Sequence, residues 1–396
     1  VKAEPQQAIP DRPRRTRPRN RRALIVAAAA ELFARNGYDQ TGMSDLAAAV
    51  GIGPSALYRH FPGKQQLLAE VVTTGLQPIH RLAGDLDLTE RATALSRLAA
   101  LGLDERHLGV LWQREARHLA PGDGERVRGE IRHVGAQFTE RVRAVRPELG
   151  HDGAELLAWS LLAVLTSVAF HHVELARPAH DELLAGLLAK VLDTPVPAGY
   201  RTPPSPAVPP GLLPASRREA LLAQAVRMFA AHGYTEVGIE DIGAAADITG
   251  PSVYNHYGSK VELLATAFQR GAAALFTSVA AAYSAATEPA GALTALIRSY
   301  VDFGRAHHDL VGLLITEIGH LPAEQQRRGR QDQHDYLGEW VHLLRQVHPD
   351  LAPPEARIRV HAAIDVINSA VRIPHLRRNP DLPAALSTLC GGLLGV

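Results

Sequence analysis

A single cysteine, Cys390, stands in the 396-residue chain. That excludes an intrachain disulfide and fits a reducing, cytoplasmic setting. Aromatic residues make up only 5%, and alternating β-branched runs are scarce, so the usual signature of sheets is missing. No G-x-S-x-G elbow and no G-x-x-x-x-G-K-[ST] phosphate loop occurs. Gly51-Ile52-Gly53-Pro54-Ser55-Ala56 fits G-x-G-x-x-A in letters alone, because the Ala-rich stretch before it reads as helix rather than strand. No catalytic residue and no cofactor is therefore expected. Long apolar runs are missing too. The longest uncharged one, Leu156 to Phe170, is too short for a membrane span and contains Ser160, Thr166 and Ser167. It reads as a buried helix or an interface between units, with no membrane partner. The first residues carry no apolar signal-like stretch. Net charge is only +1, so any affinity for a polyanion must rest on how charge is distributed.

What is present is a repeat. Arg22–Leu68 matches Arg218–Leu264 without a gap, 196 residues apart, with 17 of 47 positions identical. Phe33/Phe229, Gly37/Gly233, Tyr38/Tyr234, Tyr58/Tyr254, His60/His256 and Lys64/Lys260 are among them. The repetition continues at an offset of 202 through Glu115/Glu317, His118/His320, Val145/Val347, Pro147/Pro349 and Leu149/Leu351. With 46% hydrophobic residues, dominated by Ala and Leu, the chain reads as all-α: two tandem units, each large enough for its own core.

In the first copy Ile25, Ala28, Ala29, Leu32 and Phe33 recur at helical spacing, and Asn36-Gly37 ends that helix. Ser44 is placed to cap a second, short helix through Leu46, Ala47 and Val50, which Gly51 breaks. Pro54 suits the first turn of a third helix, and Gly63-Lys64 opens a fourth. Two short helices joined by a tight turn form a helix-turn-helix, whose second helix enters the DNA major groove. Leu57 and Phe61 should face the core, with Ser55, Tyr58 and Arg59 on the open side beside His60, suited to phosphates and base edges. Lys64, in a first turn where the helix dipole disfavours a cation, suggests a phosphate nearby. A solvated helix face with a core tyrosine is the plainer alternative.

These residues, together with Leu67-Leu68, resemble the TetR/AcrR family of ligand-responsive repressors. The second copy repeats the pattern as Val253-Tyr254-Asn255-His256-Tyr257 with Ser259-Lys260. It departs in having Asp247 where the first copy has Gly51, a position that calls for a left-handed conformation, and it keeps Thr249 where the first has Gly53. The resemblance implies, in each unit, an N-terminal helix-turn-helix DNA-binding domain followed by a helical ligand-binding and dimerisation domain. It implies an operator of double-stranded DNA and an unknown small-molecule effector. Pocket candidates are Trp112, Glu115, His118 and Trp159 in the first unit and Glu317, His320 and Trp340 in the second. It also implies pairing through the last two helices of each unit, here His151–Leu175 with Asp181–Leu192, and Pro354–Ile373 with Pro383–Leu394. An intrachain pseudo-dimer is expected, against a homodimer with four heads.

The expected organisation is a basic arm at 1–18, a first head at 19–68, a first regulatory domain at 69–193, a Pro-rich linker at 194–215, a second head at 216–264 and a second regulatory domain at 265–396. Arg14, Arg15, Arg17 and Arg19 belong to a cluster of arginines leading into the first head, suited to a minor groove or a phosphate line. The linker, where extended at roughly 3.1 Å per residue, would let both heads reach successive major-groove faces. Gly250, Pro251, Tyr254, Asn255, His256, Lys260 and Thr249 are the second head's DNA candidates, against Ser44, Pro54, Ser55, Tyr58, Arg59, His60 and Lys64 in the first. Arg59 favours guanine and Asn255 adenine, so the half-sites should differ. Two alternatives stand beside this reading. Glu115-x-x-His118, repeated as Glu317-x-x-His320, has the spacing of a carboxylate-bridged metal site in a helical bundle. In the other, the second head, lacking an arginine arm, serves only as a pairing partner.

Overall fold

The computed structural model describes residues 20–197, 199–203 and 212–396, so the arginines at 14, 15, 17 and 19 lie outside the described residues. Among the described residues there is helix and no strand. The first unit runs α1(Arg21–Asn36), α2(Met43–Ala49), α3(Pro54–Tyr58), α4(Lys64–Asp85), α5(Arg91–Asp104), α6(Leu108–Gln113), α7(Pro121–Val145), α8(Gly150–Ser167) and α9(Ala179–Asp193). The second runs α10(Arg217–His232), α11(Ile239–Ala245), α12(Gly250–Val253), α13(Lys260–Ala285), α14(Pro289–Ala306), α15(His308–Thr316), α16(Ala323–Val347), α17(Pro353–Arg372), α18(Pro374–Arg377) and α19(Leu382–Leu394).

The heads fold as their apolar spacing dictates. Ile25, Ala29 and Phe33 form one buried stripe on α1, and Leu46, Leu57, Phe61, Leu67 and Leu68 close over it, each 1% exposed or less. Gly37 and Gly233 end α1 and α10 with φ of 87° and 83°, a region that favours glycine. The turn after the second helix needs the same conformation: Gly51 sits at φ 65° and Asp247 at φ 54°. Ser44 is not the cap. The helix starts one residue earlier, at Met43, and Asp45 secures it by accepting the Gly42 amide at 2.8 Å. Asp241 does the same for Gly238 at 2.9 Å.

Residues 68 and 264 lie inside helices rather than in loops. The fourth helix of each head continues without a break into the regulatory part, as α4 and α13. Head and regulatory core therefore share a rigid rod. The expected helix His151–Leu175 is shorter: α8 stops at Ser167, a 3-10 turn follows over Val168–Phe170, and 171–176 is extended.

The two units pack on each other through α8 against α17 and α9 against α19. This explains the apolar run of α8, in which Leu156, Leu157, Leu161, Leu162, Val164 and Leu165 are all 2% exposed or less. A helix that is apolar all round must be covered all round. The helix Pro147–Phe170 has the length and composition to cross a membrane, but 78% of its apolar window is buried inside the protein. Polar ties cross the same boundary. His375 meets Glu155 at 2.9 Å, Arg372 donates to the Gln113 side chain at 3.1 Å, and Lys190 donates to the Leu393 carbonyl at 3.3 Å.

The first part of the linker is not a free spacer. Thr194 hydrogen-bonds back to the Lys190 carbonyl at 2.8 Å, Tyr200 is 3% exposed, and the Thr202 amide donates to Asp152 at 2.6 Å. Thr194 and Thr202 are thus fastened to the first unit, leaving less of the linker to span the heads than the proline count suggested.

Candidate nucleic-acid interface and a cavity beneath it

Each head presents one polar face. On α3, Ser55, Tyr58 and Arg59 are exposed while Leu57 is fully buried. On α12 and the turn after it, Pro251, Tyr254 and Asn255 are exposed while Val253 is fully buried. Tyr58 and Tyr254 are 50% and 57% exposed, among the few large side chains left open to solvent. A core tyrosine is thus ruled out for both. Pro54, Ser44 and Thr249 are exposed, and His60, Gly250 and His256 half-buried. Thr249 and Ser252 share a hydrogen bond of 2.8 Å that fixes the start of α12.

Lys64 and Lys260 are each engaged within their own head. Lys64 Nζ donates to the Tyr38 carbonyl at 2.8 Å and lies 4.0 Å from the centre of the Tyr38 ring. Lys260 Nζ donates to the carbonyls of Tyr234 and Val237 at 2.8 and 2.9 Å and lies 4.3 Å from the Tyr234 ring. Burial pulls both ammonium pKa values below their ordinary value. These lysines strap the fourth helix to the loop after the first, where carbonyls and a ring face offset the unfavourable dipole end. Arg22 and Arg218 are a second duplicated clamp, stacked 4.3 and 4.2 Å from the rings of Phe61 and Tyr257 and donating to the carbonyls of His60 and His256. The sequence pairs Arg22 with Arg218 but does not reveal this inward role.

Behind the heads lies a junction that joins both units. His118 stacks on Tyr38 and His320 on Tyr234, each with ring centres 4.9 Å apart. Asp39 stands between them, 3.8 Å from His118 and 3.6 Å from His320. Burial holds His118 down to about 4 and lowers His320, so both rings are neutral stacking partners at neutral pH. Glu115, 1% exposed, accepts the Tyr38 amide at 2.8 Å and pairs with Arg114, which also donates to the Ala34 carbonyl at 2.7 Å. Glu317 occupies the equivalent place in the second unit but pairs with Arg117 of the first, which also donates to the Thr316 carbonyl at 2.9 Å. The Glu-x-x-His repeats thus bolt the heads to the regulatory parts, and among the described residues no group of three or more His, Cys, Asp or Glu is arranged to hold a metal ion.

A cavity of about 590 Å³ opens between α13, α14, α15, α16 and α17. Its lining is mixed: Phe268, Phe276, Leu314, Ile315, Leu337 and Ile364 are apolar, Tyr300, Tyr336, Gln325 and Asp365 are polar, and Arg35, Arg106, Arg114, Arg328 and Arg330 bring cationic groups. Tyr300 donates to Asn368 at 2.8 Å. Burial raises Asp365 to about 7. None of Trp112, Glu115, His118, Trp159, Glu317, His320 and Trp340 lines this cavity. Trp340 is fully buried behind the wall, edge-on to Tyr300 at 6.0 Å. The expectation favoured large or ionisable side chains, whereas the lining was set by which helix faces the bundle leaves unfilled.

The model of the tetR family of bacterial regulatory proteins matches residues 25–71 and 221–267, the two heads. The HTH-type transcriptional repressor KstR2 of Mycolicibacterium smegmatis is 32% identical over 117 residues, which are 28% of this chain and 56% of that repressor, so the match spans little more than half its length. The nucleoid occlusion factor SlmA of Yersinia enterocolitica is 32% identical over 158 residues, 37% of this chain and 79% of the factor. A TetR-family transcriptional regulator from Bordetella parapertussis, known as a crystal structure, aligns over 45% of this chain and 95% of its own with 20% identity and a TM-score of 0.43. With two matches to the family's DNA-binding segment and a relative matched over most of its length, the chain belongs to the tetR family of bacterial regulatory proteins.

Proposed function

We propose that the chain is a sequence-specific, DNA-binding transcriptional regulator of the cytoplasm, a repressor released from its operator by a small-molecule effector, and not an enzyme. The observation that carries this reading is the pair of recognition helices. Each sets an exposed tyrosine and polar neighbours over a fully buried Leu57 or Val253. The two units act as a pseudo-dimer within one chain. The packing of α8 on α17 and α9 on α19 supports this, because it covers the surfaces a second chain would need. The heads read half-sites that are not identical, since Arg59 stands in one where Asn255 stands in the other.

Effector control follows from the shared rods. Helix α13 begins at Lys260 in the second head and lines the cavity at Ala265, Phe268, Gln269 and Ala272. A ligand that prefers one position of α13 shifts that head, and DNA affinity changes by the difference in ligand affinity between the two positions.

Selection from random duplex DNA, followed by footprinting and native mass spectrometry of the complex, tests the reading. The expected result is one chain on one duplex, two protected major-groove patches and an asymmetric site. Absence of any selected sequence, a perfect palindrome, or a stable dimer of chains would each overturn the corresponding part. If Tyr254→Ala leaves operator affinity unchanged, the second head is only a pairing partner.

A further inference from the structure

The two units are equivalent in sequence register but not in what their regulatory cores contain. At the offset of 202, Tyr300 corresponds to Leu98, Tyr336 to Val134 and Asp365 to Ala163. The three first-unit residues are 1%, 0% and 2% exposed, packed into a core with no hydrogen-bonding side chain at these places. His361 corresponds to Trp159, and Leu337 to Gly135. The Trp159 ring lies so close to α7 that a Cβ on Gly135 would stand 2.6 Å from it. Indole and glycine thus fit together where the second unit has the imidazole of His361 and the side chain of Leu337.

The cavity also has a wall from the other unit. Arg106, His107, Val110, Phe170, His171 and His172 of the first unit line it, and His171 stacks on His361 with ring centres 4.7 Å apart. Ala34 and Arg35, at the end of the first head's α1, reach the lining as well. One cavity therefore touches the second head's rod and the first head's α1.

Its polar groups indicate what it holds. The Tyr336 hydroxyl, Gln325 Oε1 and Asp365 Oδ2 are buried without a hydrogen-bond partner, and Tyr336 and Asp365 are only 5% and 6% exposed. Buried polar atoms are almost always paired, so three orphans on one cavity point to groups supplied by a ligand. Gln325 Oε1 accepts, the Tyr336 hydroxyl can donate or accept, and Asp365 accepts as a carboxylate and also donates when protonated. Two of the lining arginines are held by main-chain carbonyls: Arg106 donates to those of Val168 and His171, and Arg114 to that of Ala34.

We infer that each chain binds a single effector, in this one cavity built mainly by the second unit, and that it is a predominantly apolar molecule carrying a hydroxyl or phenol group directed at Tyr336, Gln325 and Asp365. The inference rests on the effector-controlled reading above and specifies its ligand class and stoichiometry. The volume suits a drug-sized molecule. The first unit, its core filled, is the fixed half against which the second moves.

The test uses the full chain and two fluorescent probes, 1-hydroxypyrene and pyrene, which differ by one hydroxyl. Expected are one 1-hydroxypyrene per chain and pyrene bound about tenfold more weakly, the preference falling to within threefold in Tyr336→Phe. Ile364→Trp on α17 and Leu314→Trp on α15 fill the cavity from different walls, and each should weaken 1-hydroxypyrene at least tenfold, with circular dichroism confirming the fold. Two equivalent sites per chain, equal binding of the two probes, or unchanged binding in both folded tryptophan variants would overturn the inference. DNA selection without probe is run in parallel. A selected operator with no hydroxypyrene site sinks this inference alone, and a single hydroxypyrene site without any operator sinks the regulatory reading alone.

Discussion

Arg117 of the first unit is ion-paired with Glu317 of the second, 200 positions later in the chain. The two side chains are 24% and 1% exposed. The equivalent Glu115 has its own neighbour, Arg114, as partner. The second unit offers Thr316 and Gly319 where the first has Arg114 and Arg117, so it has no arginine at either place. One unit thus supplies the counter-charge for the other. Arg117→Ala should destabilise the protein by about 2–4 kcal/mol, because it strands a buried carboxylate. Adding Glu317→Gln should recover at least half of that loss. Urea unfolding followed by circular dichroism measures both, and an unaffected Arg117→Ala would show that the pair contributes nothing.

Lysine 64 separates a structural from a DNA-contacting role. If Tyr38 is its partner on DNA as well, Lys64→Met lowers thermal stability and leaves the salt dependence of operator binding unchanged. A phosphate contact would instead reduce the slope of log K against log salt by about 0.9. Arg59→Ala and Asn255→Ala should each weaken operator binding by about 1–3 kcal/mol and relax sequence preference in different half-sites. Fluorescence anisotropy over a salt series distinguishes the two kinds of residue.

Asp365 gives the protein a pH signature. Burial raises its pKa to about 7 in the folded state, against an ordinary value of 3.8, with Arg372 opposing the shift. Between these values the folded chain holds a proton that the unfolded chain has lost. Stability therefore falls as pH rises from about 4 to 7, and the penalty remains above 7. Relative to Asp365→Asn, the native protein should lose roughly 1.4 kcal/mol per pH unit in that window. Chemical unfolding of both proteins at several pH values checks the sign. A difference that stays flat would mean the folded carboxyl ionises normally.

The helix-turn-helix turns carry a local constraint. A Cβ on Gly243 would lie 2.8 Å from the Ile248 carbonyl oxygen. Gly243→Ala should cost about 1–3 kcal/mol through overpacking. Asp247→Gly, at φ 54°, should relieve strain and raise the melting temperature by a few degrees. Calorimetry of the two variants is decisive: equal melting temperatures would remove the geometric argument.

The local grammar of the heads was legible in the sequence because it depends on neighbours. The buried stripe of Ile25, Ala29 and Phe33, the stops at Gly37 and Gly233, and the left-handed turn at Gly51 and Asp247 each follow from spacing or from one residue's allowed backbone. The exposure of Tyr58 and the burial of Leu57 follow from helical period. Ser44 misled because two capping chemistries competed within three residues, and Asp45 won by reaching the Gly42 amide.

What sequence alone determined, then, is a duplicated all-α module with two different reading faces. Tertiary structure decided the rest. Whether Lys64 meets phosphate or the Tyr38 carbonyl depends on a loop 26 residues away. Glu115 and Glu317 looked alike, yet one pairs within its unit and the other across the boundary. The cavity arises where helices of both units leave space between them, and its polar groups Tyr300, Tyr336 and Asp365 stand where the first unit has Leu98, Val134 and Ala163. Helical periodicity fixes which face of a helix is apolar, but a void is a property of several helices at once, and no single stretch of sequence encodes it.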